Sequence, residues 1–259
     1  MPYLSKILVY PFKSFQGVSV RQSRIVPGGA LEHDRAIAIF DAEGKYVNGK
    51  REPKVHHLSA VFEPRERIAQ FKRLEDGAEA CFDIDTDLAA MERWLSAYFD
   101  KPVTVRINPD GGFPDDKNAT GPTIIGEATL AEVNSWYDGL DVPETRRRFR
   151  ANLELGGCEP FWEDRLYAEA ETTVRFRIGD VLFEGTNPCQ RCIVPTRQTD
   201  TGEQTPDFAN TFRNRREATL PAWANVSRFN HYYRLAVNTR VAESEVGKMV
   251  RVGDEVVVG

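Results

Sequence analysis

Two cysteines flank Gln190 and Arg191 in the segment 189-CQRC-192, within a chain that has only four cysteines. Such a pair can be one knuckle of a zinc site, a redox dithiol, two small buried apolar residues, or a place where one thiolate grips something larger. A tetrahedral zinc site needs four ligands. No second Cys-x-x-Cys or His-x-x-His pair exists, and His56, His57 and Cys158 lie at no suitable spacing. A thioredoxin-like dithiol needs its pair at a helix start after a strand, whereas Ile193-Val194-Pro195 follows here and reads as strand. The setting then matters. Asn187-Pro188 predicts a turn before the pair, Arg191 beside Cys192 favours a thiolate, and a polar Thr-Asp-Thr-Gly loop follows at 199–202. A soft, partly exposed thiolate near a cation suits a soft metal, while two structural thiols remain the plainer alternative.

The elements that must position this segment are mostly strands. KILVY (6–10) is a short β-branched run, RAIAIFDAEGKYVNGK (35–50) reads as strand, turn, strand, and 68–84 predicts a second hairpin about Glu75-Asp76-Gly77. Residues 85–101 change period, with Leu88, Met91, Trp94, Leu95 and Tyr98 at helical spacing. The loop at 108–122, rich in Gly, Pro, Asp and Asn, is a linker or a functional segment. A second helix is expected from Thr129, because Thr129-Leu-Ala-Glu132 is a capping-box pattern. Strand signals return at 151–155, 172–179, 181–185 and 248–259, the last folding back at Gly253-Asp254. So many short strands with two or three helices predict a mixed α/β, β-rich fold, a barrel-like β core decorated by helices.

Composition narrows the partners. Of 259 residues, 41% are apolar, enough for a real core, and 34 basic against 39 acidic residues give a net charge of −5. The basic residues are dispersed among acidic ones, so neither nucleic acid nor an anionic membrane is an expected partner. The apolar start of the chain is too short for a signal peptide or a bilayer span, which predicts a cytoplasmic protein whose cysteines stay reduced.

The segment NPCQRCIVPTRQTDTGE resembles the cysteine signature of the MOSC family, the domain found at the C-terminus of molybdenum cofactor sulfurases. YPFKSFQGVSV (10–20), EHDRAIAIFD (32–41), TIIGEATLAEVN (123–134) and RFRANLELGGCEPFWED (148–164) agree with it in order. The full-length arrangement is similar to that of the mitochondrial amidoxime reducing component and its bacterial relatives. The resemblance implies a smaller N-terminal MOSC-associated β-rich domain (1–97) and a MOSC β-barrel-like core with peripheral helices (98–259). It implies the molybdenum cofactor, with Cys192 as the protein ligand to molybdenum. Carried over position by position, the cofactor contacts fall on Lys13, Ser14, Arg35, Thr120, Gly121, Arg150, Gln190, Arg191 and Tyr232, with Tyr233 beside the last as a competing register. Gly121 offers only backbone, and Cys189 is left a structural role. The chemistry agrees, since a molybdopterin needs cations and hydroxyl donors at its phosphate and a soft ligand at its metal.

The implied reaction is two-electron reduction of the N–O bond of small N-hydroxylated compounds. No residue stands out as a general acid; Asp164 is the carboxylate to watch, with an ordinary surface role as its plain reading. The chain has no C-x4-C-x2-C run for an iron–sulfur cluster, so a separate flavin or iron–sulfur reductase is the expected electron donor. The mitochondrial members' targeting and anchor segment is not expected here. A competing reading is a sulfur carrier or cofactor-handling protein with a persulfide on Cys192; a third is a binding module with structural cysteines. Pocket residues are expected in 108–122 and 203–225.

Overall fold

The computed structural model describes residues 1–259 and is mixed α/β and strand-rich. In the first part, β1 (Tyr3–Val9), β2 (Val18–Val20) and β3 (Gln22–Arg24) lead into β4 (Ile37–Asp41), a strand with four consecutive buried residues. Then β5 (Leu58–Glu63), β6 (Ile68–Arg73) and β7 (Glu79–Asp83) form a three-stranded antiparallel meander. In β5, inward Leu58, Ala60 and Phe62 alternate with more exposed neighbours, the signature of a strand covered on one face. Helix α1 (Leu88–Phe99) buries Met91, Leu95 and Phe99 on the core side and stops where Asp100 turns left-handed, at φ 53°. Strand β8 (Val103–Ile107) then pairs antiparallel with β4.

The second part begins at β9 (Ile124–Gly126), continues through α2 (Glu127–Asn134) and α3 (Val142–Phe149), and enters β10 (Leu153–Gly156). Strands β11 (Val174–Ile178) and β12 (Val181–Gln190) form a hairpin, α4 (Phe208–Ala218) follows, and β13 (Arg234–Val241), β14 (Met249–Arg251) and β15 (Val256–Val258) finish the chain. Eight strands make one sheet in the order β15-β11-β12-β13-β9-β10-β1-β2. The first two strands of the chain thus lie in a sheet with six from its second half. One core accordingly joins Leu4, Ile7 and Ile25 to Leu153, Phe183 and Val237, a second collects Phe12, Ile39, Phe71 and Leu95, and a third packs α2 and α4 through Leu130, Phe208 and Phe212.

Several local expectations are corrected. Thr129 does not cap α2, which starts at Glu127 after Gly126; its hydroxyl donates to Glu163 at 2.8 Å and accepts from the Phe161 N–H at 2.7 Å. The final two strands are no hairpin: β14 pairs with β3 and β15 with β11. Within 35–50 the chain does turn back after Asp41, but only a single Phe40–Tyr46 bridge forms and β4 takes β8 as its strand partner. Asn187-Pro188 lies inside β12, and Ile193-Val194-Pro195 leads into a 3-10 turn (Val194–Thr196) rather than a strand.

Candidate functional site

The cysteine segment owes its position to irregularity in β12. Its register against β13 shifts between Gly185 and Asn187 and again between Pro188 and Gln190. Proline lacks the N–H for an unbroken ladder, so a bulge is the arrangement that keeps it inside the sheet. The strand therefore ends with Cys189 half-buried and delivers Cys192, exposed, into the turn beyond. There the Val194 N–H reaches the Cys192 sulfur at 3.5 Å.

Arg150 is placed by α3. Asp141 caps that helix by accepting the Glu144 N–H at 2.7 Å, proline sits in its first turn, and Arg150 closes it in the left-handed conformation, φ 52°. Arg35 (φ 51°) and Ser14 (φ 78°) share that region. A non-glycine residue held there costs about 1–3 kcal/mol, and such positions concentrate at ligand sites.

These pieces converge on one cleft of about 980 Å³. Lys13, Ser14, Arg35, Thr120, Gly121, Arg150, Gln190, Arg191 and Cys192 all line it. Lys13 Nζ donates to the Phe113 carbonyl at 2.9 Å and pairs with Asp115, whose own side chain is 81% exposed. Arg35 pairs with Asp34 and donates to Asn152 Oδ1 at 3.3 Å. Arg150 has no carboxylate partner; it donates to the Phe15 carbonyl and lies 4.2 Å over the Tyr10 ring.

Burial works against all three cations, but their neighbours sort them. Lys13 is lowered, by burial and then by Arg35 and Arg150, against the pull of Asp115. Arg150 is lowered to about 10 by burial, with Tyr10 opposing and Arg35 adding repulsion. For Arg35, burial is outweighed by Asp34 and Asp115, and its pKa is raised. Asp115 is held below the usual carboxylate range: crowding on its cleft side is outweighed by Lys13 and Arg35, while the rest of its side chain stays open to solvent. Three cations against two carboxylates leave a net positive pocket made for an anion.

Some expected residues face elsewhere. Tyr232 stacks on Phe229 at 5.8 Å and does not line the cleft, whereas Tyr233 lies beneath the cysteine segment, raised to about 12 by burial, with Arg191 opposing and Cys192 adding to the rise. Arg191, expected as the electrostatic neighbour of Cys192, donates instead to Cys189 Sγ at 3.2 Å and to the Phe149 carbonyl. The Thr120 hydroxyl donates to the Gly28 carbonyl at 2.6 Å, and the Gly121 N–H donates to the Thr239 carbonyl at 2.9 Å. Asp164 is buried in an ion pair with Arg216, away from the cleft. The loop at 108–122 contributes to the lining, while no residue of 203–225 does.

Sequence reading missed Asn152 and Asp115. Asn152 accepts from Thr123 N–H at 3.2 Å and donates to Leu8 O and to Asp34 Oδ1, both at 3.0 Å, and so ties Arg35 and Asp34 to the edge of β10. The available signal was its place two residues after Arg150 at a strand entrance. Asp115 gave none, being one aspartate in an acidic loop.

The donor set fits a molybdopterin-type group. The cleft holds an exposed thiol and a cluster of cations of which Arg150 has no carboxylate partner, and Arg191 Nε and Tyr233 Oη are buried without a hydrogen-bond partner near the cysteine segment.

Family models match over most of the chain: the MOSC domain over residues 124–257 and the MOSC N-terminal beta barrel domain over residues 1–87. Mitochondrial amidoxime-reducing component 1 of Xenopus laevis is 24% identical, the match covering 98% of this chain and 81% of that protein. Mitochondrial amidoxime reducing component 2 of Rattus norvegicus is 23% identical over 77% of this chain and 68% of that protein. Molybdenum cofactor sulfurase of rice, Oryza sativa subsp. japonica, is 22% identical, over 78% of this chain but 29% of the sulfurase. With both halves of the chain matched in order, it belongs to the MOSC family.

Proposed function

We propose that this chain binds a molybdenum cofactor in the cleft, with Cys192 as the molybdenum ligand, and reduces N-hydroxylated compounds using electrons from a separate flavin or iron–sulfur protein. What supports the reading above all is the convergence in one cleft of a solvent-reachable thiol with Lys13, Arg35 and Arg150, residues drawn from both halves of the chain. The relatives named amidoxime reducing components supply the substrate class. The proposed domain division follows the same resemblance, 1–97 and 98–259.

Bound, the cofactor would supply the two-electron chemistry that removes oxygen from nitrogen. The chain's own residues would do the rest. Lys13, Arg35 and Arg150 would hold the phosphate, with Arg150 the first to engage because no carboxylate competes for it. Ser14, Thr120 and Gln190 line the same cleft and would add polar contacts. Arg191, pinned by Phe149 O, would keep Cys189 turned aside and so leave Cys192 as the free thiol.

The test is to purify the protein from a host that makes the cofactor, measure molybdenum and pterin in wild type and Cys192→Ala, and assay benzamidoxime reduction with reduced methyl viologen. Stoichiometric molybdenum lost in the variant, with activity, is the expected result. Molybdenum that survives Cys192→Ala would overturn the ligand assignment. The second reading, a sulfur carrier with a persulfide on Cys192, draws on the exposure of that thiol and on the sulfurase relative. Cyanide-releasable sulfur in a molybdenum-free protein would favour it.

A further inference from the structure

The cleft carries more positive charge than one phosphate-bearing cofactor calls for. Nine lysines and arginines line it against three aspartates, a surplus of six. Setting Arg148 against its partner Glu144 leaves five, in a chain whose net charge is −5. Lys13, Arg35 and Arg150 account for one group. A second lies against the strand that leads into the cysteine segment.

That second group is Arg228 and Arg234. Arg234 faces Gln190 in register across β12 and β13, and gives Nη1 to the Pro188 carbonyl at 3.0 Å and Nη2 to Asn230 Oδ1 at 2.7 Å. Arg228, in a short 3-10 turn (Val226–Arg228), gives Nη1 to the carbonyls of Ala168 at 3.0 Å and Glu169 at 2.9 Å. Every one of these partners is neutral, and neither arginine forms an ion pair. The Arg234 Nε is buried with no partner at all. Burial, and then the charge of Arg228, lower the proton affinity of Arg234, with Cys189 opposing. Two neighbouring cations kept without a counter-ion repel each other, a cost that an arriving anion removes. Asn230, Ser227 and Asn187 line the cleft beside them and can add hydrogen bonds, while Asp116 and Glu171, which line an adjoining small pocket with Arg228, form no ion pair with it.

We propose that Arg228 and Arg234 form the substrate's anion subsite, so that this chain acts on N-hydroxylated compounds that also bear a carboxylate. The carboxylate lies against the two guanidinium groups and leaves Lys13, Arg35 and Arg150 to the cofactor. The proposal rests on the reductase reading for the N–O group and on the arginine pair alone for the carboxylate.

Two probes that differ by one carboxylate separate these points: benzamidoxime and 4-carboxybenzamidoxime. Their affinities for the molybdenum-loaded protein are measured by calorimetry at low and high salt, and then their kcat/KM values with reduced methyl viologen. The carboxylated probe binds about tenfold tighter at low salt, an advantage that shrinks as salt rises. Arg234→Gln and Arg228→Gln each remove most of that ratio while molybdenum content is retained. Equal affinity of the two probes for wild type overturns the proposal. So does a preference left intact in both variants, the pattern of rim charges that serve an acidic electron-donor protein instead. Molybdenum lost from the variants overturns it too, by assigning the pair to the cofactor phosphate. If the loaded protein reduces neither probe, the reductase reading fails while the binding ratio still decides the subsite.

Discussion

Glu163 and Asp164 are adjacent carboxylates with different fates. Glu163 accepts from the Thr129 hydroxyl, but its Oε1 is buried without a partner, and burial, then Asp164, push its pKa up to about 7. A carboxyl raised on folding binds more protons in the folded state than unfolded, so stability falls as pH rises from the unfolded value of about 4.3 toward 7. The loss is on the order of 3 kcal/mol by pH 8. Glu163→Gln should flatten that slope and leave the variant more stable than wild type at pH 8, as read by urea unfolding at pH 5 and 8. Asp164 is instead locked to Arg216, whose guanidinium lies 4.1 Å from the Phe161 ring centroid and 5.1 Å from that of Phe229. Asp164→Ala strands a buried cation and should cost about 3–5 kcal/mol. A paired Asp164→Leu, Arg216→Met replacement should recover much of it in the same urea assay.

At the scale of elements, β12 positions the cysteine segment, and its close packing leaves little tolerance for substitution. A Cβ on Gly185 would come within 1.7 Å of the Leu166 carbonyl oxygen, so strand and neighbouring 3-10 segment touch through bare backbone. Gly185→Ala should therefore destabilise by about 1–3 kcal/mol or more and displace the bulged end of the strand. Loss of molybdenum loading out of proportion to the loss of fold, measured on the folded fraction, would mark that displacement. Helices α3 and α4 show why elements differ in legibility. Asp141 and Pro143 are ordinary start signals, yet arginines occupy three of the next five positions, and the face that Phe149 buries shows no apolar period. In α4, Phe208 and Phe212 are flanked by charge, and Arg216 takes a core position that only its pairing with Asp164 permits.

At the scale of the whole molecule, the cleft draws most of its walls from residues 13–35, 46–56, 111–123, 148–152, 187–195 and 227–238. A ligand there bridges separate cores, so its binding energy becomes folding energy for both halves. Cofactor-loaded protein should melt higher than stripped protein, since a ligand at a thousand times its Kd contributes about 4 kcal/mol. A domain pair of this size then gains roughly 8–16 °C in Tm. Arg150→Met, which removes the cation with no carboxylate partner, should abolish most of that difference while barely moving the stripped protein's midpoint. Differential scanning calorimetry of both forms checks it. No helix of the chain is long and apolar enough to cross a membrane.

The sequence by itself determined what is local or chemical in kind. Strand-like runs about Glu75-Asp76-Gly77 marked the β6–β7 hairpin, period marked α1, and a rare pair of thiols beside cations marked the cysteine segment and its resemblance. Tertiary structure decided what depends on distant partners. Which thiol Arg191 touches, why Asp115 sits on Lys13, how β14 and β15 part company, and why Arg228 and Arg234 are left without counter-ions all turn on groups scores of residues apart. Charge and hydrogen bonding act through space, and one chain's order of residues does not record which of them meet.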